Sequence, residues 1–361
     1  MKLVTQSPTS TSGQDMEDVD VDEVGEMKDW LPPVEYLAAK RLHAELAEGG
    51  GFSTQVLQSG VLIALYEYGH AIYPAAYLSI GACARYGISA GLDGSGVEQM
   101  KKLYNWVEEE ERKRVWWAVL ILDRAVNLGN PSRSLATQEP HPSSNLPAVD
   151  DVWDAGASSP GESFTLSSPT SLRMGRFARF AQAIYLLGRV YKHVSDQTDD
   201  HIFLQEEAVQ LRRTIEALVT LTEIEGSQGD KLEFCTQTAL SYSGLLRLQD
   251  TFSSLPVGLL ETDKWSSSTA LVEKVATSAA SLANMVCRGV PSVPIHTVSP
   301  FILDLFYHAR IIWGERVRQT GSEDAIGAAE DLNAAIVGLN ARWRAAGAYL
   351  EIMKACEMSY C

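Results

Sequence analysis

The stretch 108-EEEERKRVWWAVLILDR-124 decides how the rest of this 361-residue chain is read. Val115, Val119, Leu122 and Val126 recur at helical spacing and fall on one stripe, so the stretch reads as a helix. Its acidic first turn suits the partial positive charge of a helix N-terminus, and Glu108, Glu109 and Glu110 each stand four residues before Arg112, Lys113 and Arg114. Such pairs add only about 0.2 to 0.5 kcal/mol each, so packing must hold the helix. Trp116 and Trp117 flank the stripe, which makes the helix apolar around more than one face and places it among other helices. An indole that goes inside needs an acceptor for its N–H.

Working outward, Leu31-Pro32-Pro33 opens a helical stretch to about Glu48, because proline is tolerated in a first turn, and Gly49-Gly50-Gly51 ends it. Two further helices, about 54–72 and 74–91, are separated at Tyr73-Pro74, and with the Trp-Trp helix they should form a packed trio. A proline- and serine-rich segment, about 129–169, reads as irregular, its last part from Ala155 to Pro169 as mobile. Helical stripes then resume: Phe177, Phe180, Ile184, Leu187 and Tyr191; Leu204, Ala208, Leu211, Ile215 and Leu218; Leu232, Cys235, Ala239, Tyr242 and Leu246 after an Asp230/Glu233 capping box. Others are marked by Leu271, Val275, Leu282 and Val286; by Ser299-Pro300 with Ile302, Leu305, Ala309 and Ile312; and by Ser322 with Ala329, Leu332, Ile336, Leu339 and Trp343. No segment alternates with period two over a useful length. The expectation is an all-α, large multi-helix bundle, with residues 1–29 as a disordered acidic leader and 30–361 as one helical domain.

The run EEEERKRVWWAVLILDR, followed by Asn145-Leu146-Pro147 and Asp150-Asp151-Val152-Trp153, resembles the fungal-specific transcription factor domain, the middle homology region of zinc-cluster regulators. That domain carries an Arg-rich turn, a Trp-Trp pair, an Asp-Arg pair, then a Leu-Pro with acidic residues and a tryptophan. The family-motif positions here are Arg112, Arg114, Trp116, Trp117, Asp123, Arg124, Leu146, Pro147 and Trp153. Thr54 to Tyr68 and Ala76 to Leu92 resemble the two helices that precede the Trp-Trp helix in the family. The likeness is weaker downstream, at a C-terminal helix with Trp343 and Tyr349-Leu350. It implies a transcriptional regulator of a metabolic or biosynthetic pathway, working in the nucleus.

Composition and charge narrow the class. The net charge of −16 is the wrong sign for a chain whose main business is to neutralise phosphates, so direct sequence-specific DNA contact is not expected. Five cysteines, Cys83, Cys235, Cys287, Cys356 and Cys361, are too far apart to supply a six-cysteine zinc cluster, and those in helical patterns read as reduced apolar fillers. The regulator is therefore expected to work through a protein partner, either a DNA-binding regulator or a second copy. The N-terminus lacks a secretory apolar core, and no segment reaches the length of a membrane span. Met16 to Leu31 alternates acidic with apolar residues, which reads either as an activation segment or as a solvated leader.

Catalytic and ligand motifs point elsewhere than chemistry. The seven histidines form no metal-binding spacing, and His70 and His308 read as partners of backbone or hydroxyl groups, so no metal and no cofactor is expected. Ser241 and Ser243 beside Gly244 lack the strand-turn-helix elbow of a nucleophile. Arg173, Arg176 and Arg179 read as the solvated side of a helix, or else as a phosphate-facing patch. Asp123 and Arg112 lie three turns apart on nearly one side and read as polar anchors in the bundle, or else as a ligand contact. The chain is not expected to be an enzyme. The alternatives are a helical pathway enzyme or small-molecule binding protein, and a truncated remnant of a zinc-cluster regulator; a small-molecule effector is left open.

Overall fold

The computed structural model describes residues 32–94, 105–156, 161–169, 172, 174–196, 198, 200–227, 235–253, 262–288 and 297–359. The expected leader 1–29 and the Asp230/Glu233 capping box lie outside them. Among the described residues there are twelve α-helices and no strand, only an isolated bridge between Asn145 and Thr165. No helix there is long and apolar enough to cross a membrane.

The first half is built from α1 (Val34–Glu48), α2 (Thr54–Gly69), α3 (Tyr73–Ser89) and α4 (Trp106–Ala125). Ser53 caps α2 by accepting from the Val56 N–H, and α2, α3 and α4 pack on one another as a trio. The break between α2 and α3 falls at Ala71, which takes a positive φ of 58°, one residue before the cap of α3. Pro74 therefore follows the break and sits within the first turn. The trio buries Leu57, Val61, Ile80, Ala84, Val115, Val119, Leu122 and Val126, so the whole stripe read from the sequence faces the core. α4 begins earlier than its glutamates suggest. Asn105 forms a reciprocal capping box with Glu108, the first glutamate of the acidic run, so the helix starts two residues before that run, at Trp106.

A long connection leads from α4 through the five-residue helix α5 (Asp150–Asp154) to α6 (Arg176–Ser195). Within 161–169, expected to be mobile, Phe164 is buried against Trp117, Leu120 and Leu146, and its carbonyl accepts from the Leu146 N–H at 2.8 Å. A single aromatic anchor and paired backbone groups hold this piece in place, where composition suggested freedom.

The second half comprises α7 (His201–Ser227), α8 (Cys235–Ser253), α9 (Thr262–Arg288), a 3₁₀ turn Pro300–Ile302, α10 (Leu303–Thr320), α11 (Glu323–Asn340) and α12 (Ala345–Ser359). Ser299 and Ser322 cap α10's opening turn and α11 as their positions suggest. Its core is rich in small residues: Ala276, Ala279, Ala280 and Ala283 of α9, and Ala325, Ala329 and Ala335 of α11, are buried where those two helices pack closely. Trp343 lies beyond the end of α11 rather than on its stripe, with its indole N–H donating to the Val298 carbonyl at 2.7 Å. Phe301 joins the halves, its ring 5.3 Å from Tyr68 and 5.7 Å from Phe180.

Two histidine expectations part company. His308 is satisfied, its Nδ1 lying 2.7 Å from the Asp304 carbonyl. His70 is not: it is buried between Tyr66 and Trp343, and neither ring nitrogen finds a hydrogen-bond partner among the described residues. Burial, with the positive charges of Arg342 and Arg344 adding to it, lowers its pKa to about 4. Ser243 donates to the buried Asp304 carboxylate at 2.7 Å, an anchor between α8 and α10. Among the described residues no group of three or more His, Cys, Asp or Glu is placed to hold a metal.

Candidate functional site

The site is a buried polar seam along α4, where the helix grips the connection that follows it. At its N-terminal end Glu110 is fully buried, so the glutamate whose pairing with Arg114 reads from sequence as a small addition is a structural centre. Its carboxylate accepts from the Ala148 backbone N–H at 2.7 Å, from Lys113 at 2.7 Å and from Arg114 at 3.2 Å. A buried carboxylate is tolerable only with such partners. Arg114 extends the seam by donating to the Ala148 carbonyl at 2.9 Å and to Asp150 Oδ1 at 3.3 Å, with its guanidinium stacked between Trp153 and Phe177. The other Asp150 oxygen accepts from the Phe177 N–H in the first turn of α6 at 3.1 Å. Gly175 is needed at this junction because a side chain there would meet Asp150 backbone nitrogen at 2.9 Å.

Two turns further on, Trp117 is buried and its indole N–H donates to the Asn145 carbonyl at 3.0 Å, which sets Leu146 and Pro147 into the core. At the C-terminal end Asp123 accepts from the backbone N–H groups of Ala136 (3.0 Å) and Thr137 (2.9 Å) and from the Thr137 hydroxyl (2.6 Å). Arg124, equally buried, donates to Thr137 and to the carbonyls of Gln138 and Leu120, and its own carbonyl accepts from Tyr191 of α6. Burial pushes the Arg124 guanidinium below its ordinary pKa, and the neighbouring Asp123 opposes that shift.

The motif positions thus divide into groups. Arg114, Trp117, Asp123, Arg124, Leu146, Pro147 and Trp153 line the seam between α4 and its connection. Arg112 stands apart on another face, donating to the Ala90 carbonyl at 3.1 Å and stacking on Phe52, so Asp123 and Arg112 are separate anchors and not a pair. Trp116 is half-buried, packed on α3 at Gly87, where an added Cβ would lie 2.8 Å from its ring.

Sequence reading missed Glu110, Thr137 and Gly175 as members of the seam. The i,i+4 spacing of Glu110 and Arg114 held the signal for the first, but burial could not be read from it; nothing local marks the other two. It also misplaced Arg179. That residue is fully buried, paired with Glu225 at 2.7 Å and bonded to Gln182 and the Leu172 carbonyl, tying α6 to α7 where a solvated face was expected. Arg173 lies outside the described residues.

Between the two places where the seam holds the connection, residues 138–145 arch away from α4 and leave a cleft of about 1120 Å³. Its walls are the C-terminal end of α3, the arch itself, and Tyr185, Arg189 and Lys192 of α6; Trp116 and Leu120 line it from α4.

The seam's residues fall within 22–201, which match the family model described as fungal specific transcription factor domain. That part of the chain belongs to this family. The fungal transcription factor domain covers α1 to α6, and the helices after it lie beyond the matched residues. A curated relative, described as Transcription factor BOA15 of Botryotinia fuckeliana (strain B05.10), is 44% identical over 80 residues. The aligned stretch spans 22% of this chain and 45% of that protein. No solved structure matches the chain.

Proposed function

We propose that this chain is a pathway-specific transcriptional regulator whose helical body acts in the nucleus through a protein partner that reads DNA. The observation that carries the proposal is the seam itself. Residues of the matched domain use buried charges to hold a long irregular connection against the Trp-Trp helix, which gives this face of the domain a fixed shape. The relative's description as a transcription factor supports the same reading. Within these 361 residues the five cysteines do not form the two close groups that a zinc cluster uses.

Deleting the gene and profiling transcripts tests this: coordinated change in a set of genes is the expected result, and an unchanged profile under all growth conditions tried overturns it. Chromatin cross-linking of the tagged chain then separates the two routes to DNA. The partner reading requires that the purified chain alone fail to retain the same fragments.

A further inference from the structure

We propose that the outward face of α1 is the surface through which two copies of this chain associate, with the two α1 helices set antiparallel across a two-fold axis near Leu42.

α1 is packed the wrong way round for a helix whose outer side meets only water. Tyr36 is its one buried residue, stacked on Tyr66, and the rest of the side it lays on the body is held by polar groups. The Tyr36 hydroxyl donates to the buried Glu67 carboxylate at 2.6 Å, Lys40 donates to the same oxygen, and His43 Nδ1 lies 3.0 Å from the Ser59 hydroxyl. Its large aliphatic residues are left outside: Val34, Leu37, Leu42 and Leu46 are 78%, 49%, 57% and 51% exposed. A surface helix normally turns such residues inward. No other helix among the described residues leaves so many large apolar side chains exposed, a concentration that marks an association surface and not scattered exposure.

The pattern on that face says what covers it. Val34, Ala38, Leu42 and Leu46 recur every fourth residue and form one ridge, the element with which helices interdigitate. Leu37, Arg41 and Glu45 form the adjacent ridge; Arg41 and Glu45 are both exposed, and neither has an ion-pair partner among the described residues. A two-fold axis at Leu42 puts Leu42 against Leu42 and the small Ala38 against the other copy's Leu46. The same operation brings each Arg41 beside the other copy's Glu45, so symmetry makes two ion pairs. The face is therefore complementary to itself in volume and in charge, which is what a two-fold interface requires. A single helix pair is a small contact, so the dimer is a weak and reversible one. This association does not depend on the regulatory reading above.

Sedimentation equilibrium of the purified full chain, from micromolar to submillimolar concentration, tests this; reversible monomer–dimer exchange is the expected result. Leu42→Asp, at an exposed position, should leave the chain monomeric. Arg41→Glu and Glu45→Arg should each weaken association about tenfold, since like charges then face each other across the axis. Mixed together, the two variants should recover the native affinity as a heterodimer, because opposite charges meet again at both places. Altered folding cannot produce that rescue, so it decides by itself if Leu42→Asp proves unstable. A chain that stays monomeric throughout, leaving the face to another protein or another segment, overturns the proposal. So does a dimer indifferent to Leu42→Asp, or a mixture that associates no better than either variant alone.

Discussion

The two halves of the molecule solve the same problem, packing helices, with different materials. The family-matched half buries Glu67, Glu110, Asp123, Arg124, Asp150 and Arg179, and most of these hold chain that is not helical. The second half is closed mainly by apolar side chains, small alanines of α9, α11 and neighbouring helices set between larger Leu, Ile and Val. The difference follows from the backbone. A helix satisfies its own N–H and C=O groups, so close packing of small side chains suffices; an irregular connection lies against a core only if something else pairs its orphan groups. Buried carboxylates at Glu110 and Asp123 do that for Ala148, Ala136 and Thr137.

If that contrast is right, the largest single loss lies in the seam. Asp123→Ala should cost about 3 to 5 kcal/mol, because two backbone donors, a hydroxyl and Arg124 lose their acceptor together. Denaturant unfolding measures it, and a loss below 1 kcal/mol would mean water replaces the carboxylate and the seam is not specific.

Acid should strike next, at the contact between the halves. His70 has a folded pKa of about 4 against an ordinary 6.5, so the unfolded chain binds the proton more readily. Stability from this residue is complete above pH 6.5 and falls as the pH drops toward 4, by on the order of 3 kcal/mol in all. Comparing the chain with His70→Phe at pH 7 and pH 4.5 isolates it; identical pH dependence in both would sink the assignment.

In the alanine-packed half the sensitive change is enlargement. Ala279→Leu should cost about 1 to 3 kcal/mol by overpacking the buried face of α9. An equal-sized loss from Ala279→Ser would show instead that polarity, not volume, limits that core. The smallest effect expected is from Ser322→Ala, which removes the cap on the Ala325 N–H and should cost about 1 kcal/mol by thermal melting.

Much of the architecture was legible because helices announce themselves locally. The stripe Val115, Val119, Leu122, Val126 and the caps at Ser299 and Ser322 each lie within a few residues of what they determine. The candidate site was legible only as a set of names. Asp123 and Trp117 were visible, but their partners stand 13, 14 and 28 positions away on a stretch whose composition looks merely flexible. Arg179 shows the limit most sharply, since one residue at a helical spacing that suggested solvent is wholly buried by α7.

By itself, the order of residues determined that this chain makes helices, where most of them start, and that the Trp-Trp helix lies inside, since periodicity and capping are short-range properties of the backbone. Tertiary structure alone decided which charges went inward, that Trp116 stops half-way in while Trp117 is enclosed, and that an arch held at both ends leaves an open cleft. Those outcomes depend on pairing between groups far apart in sequence, and the free energy of a buried charge or an open cleft is settled only when its distant neighbours arrive.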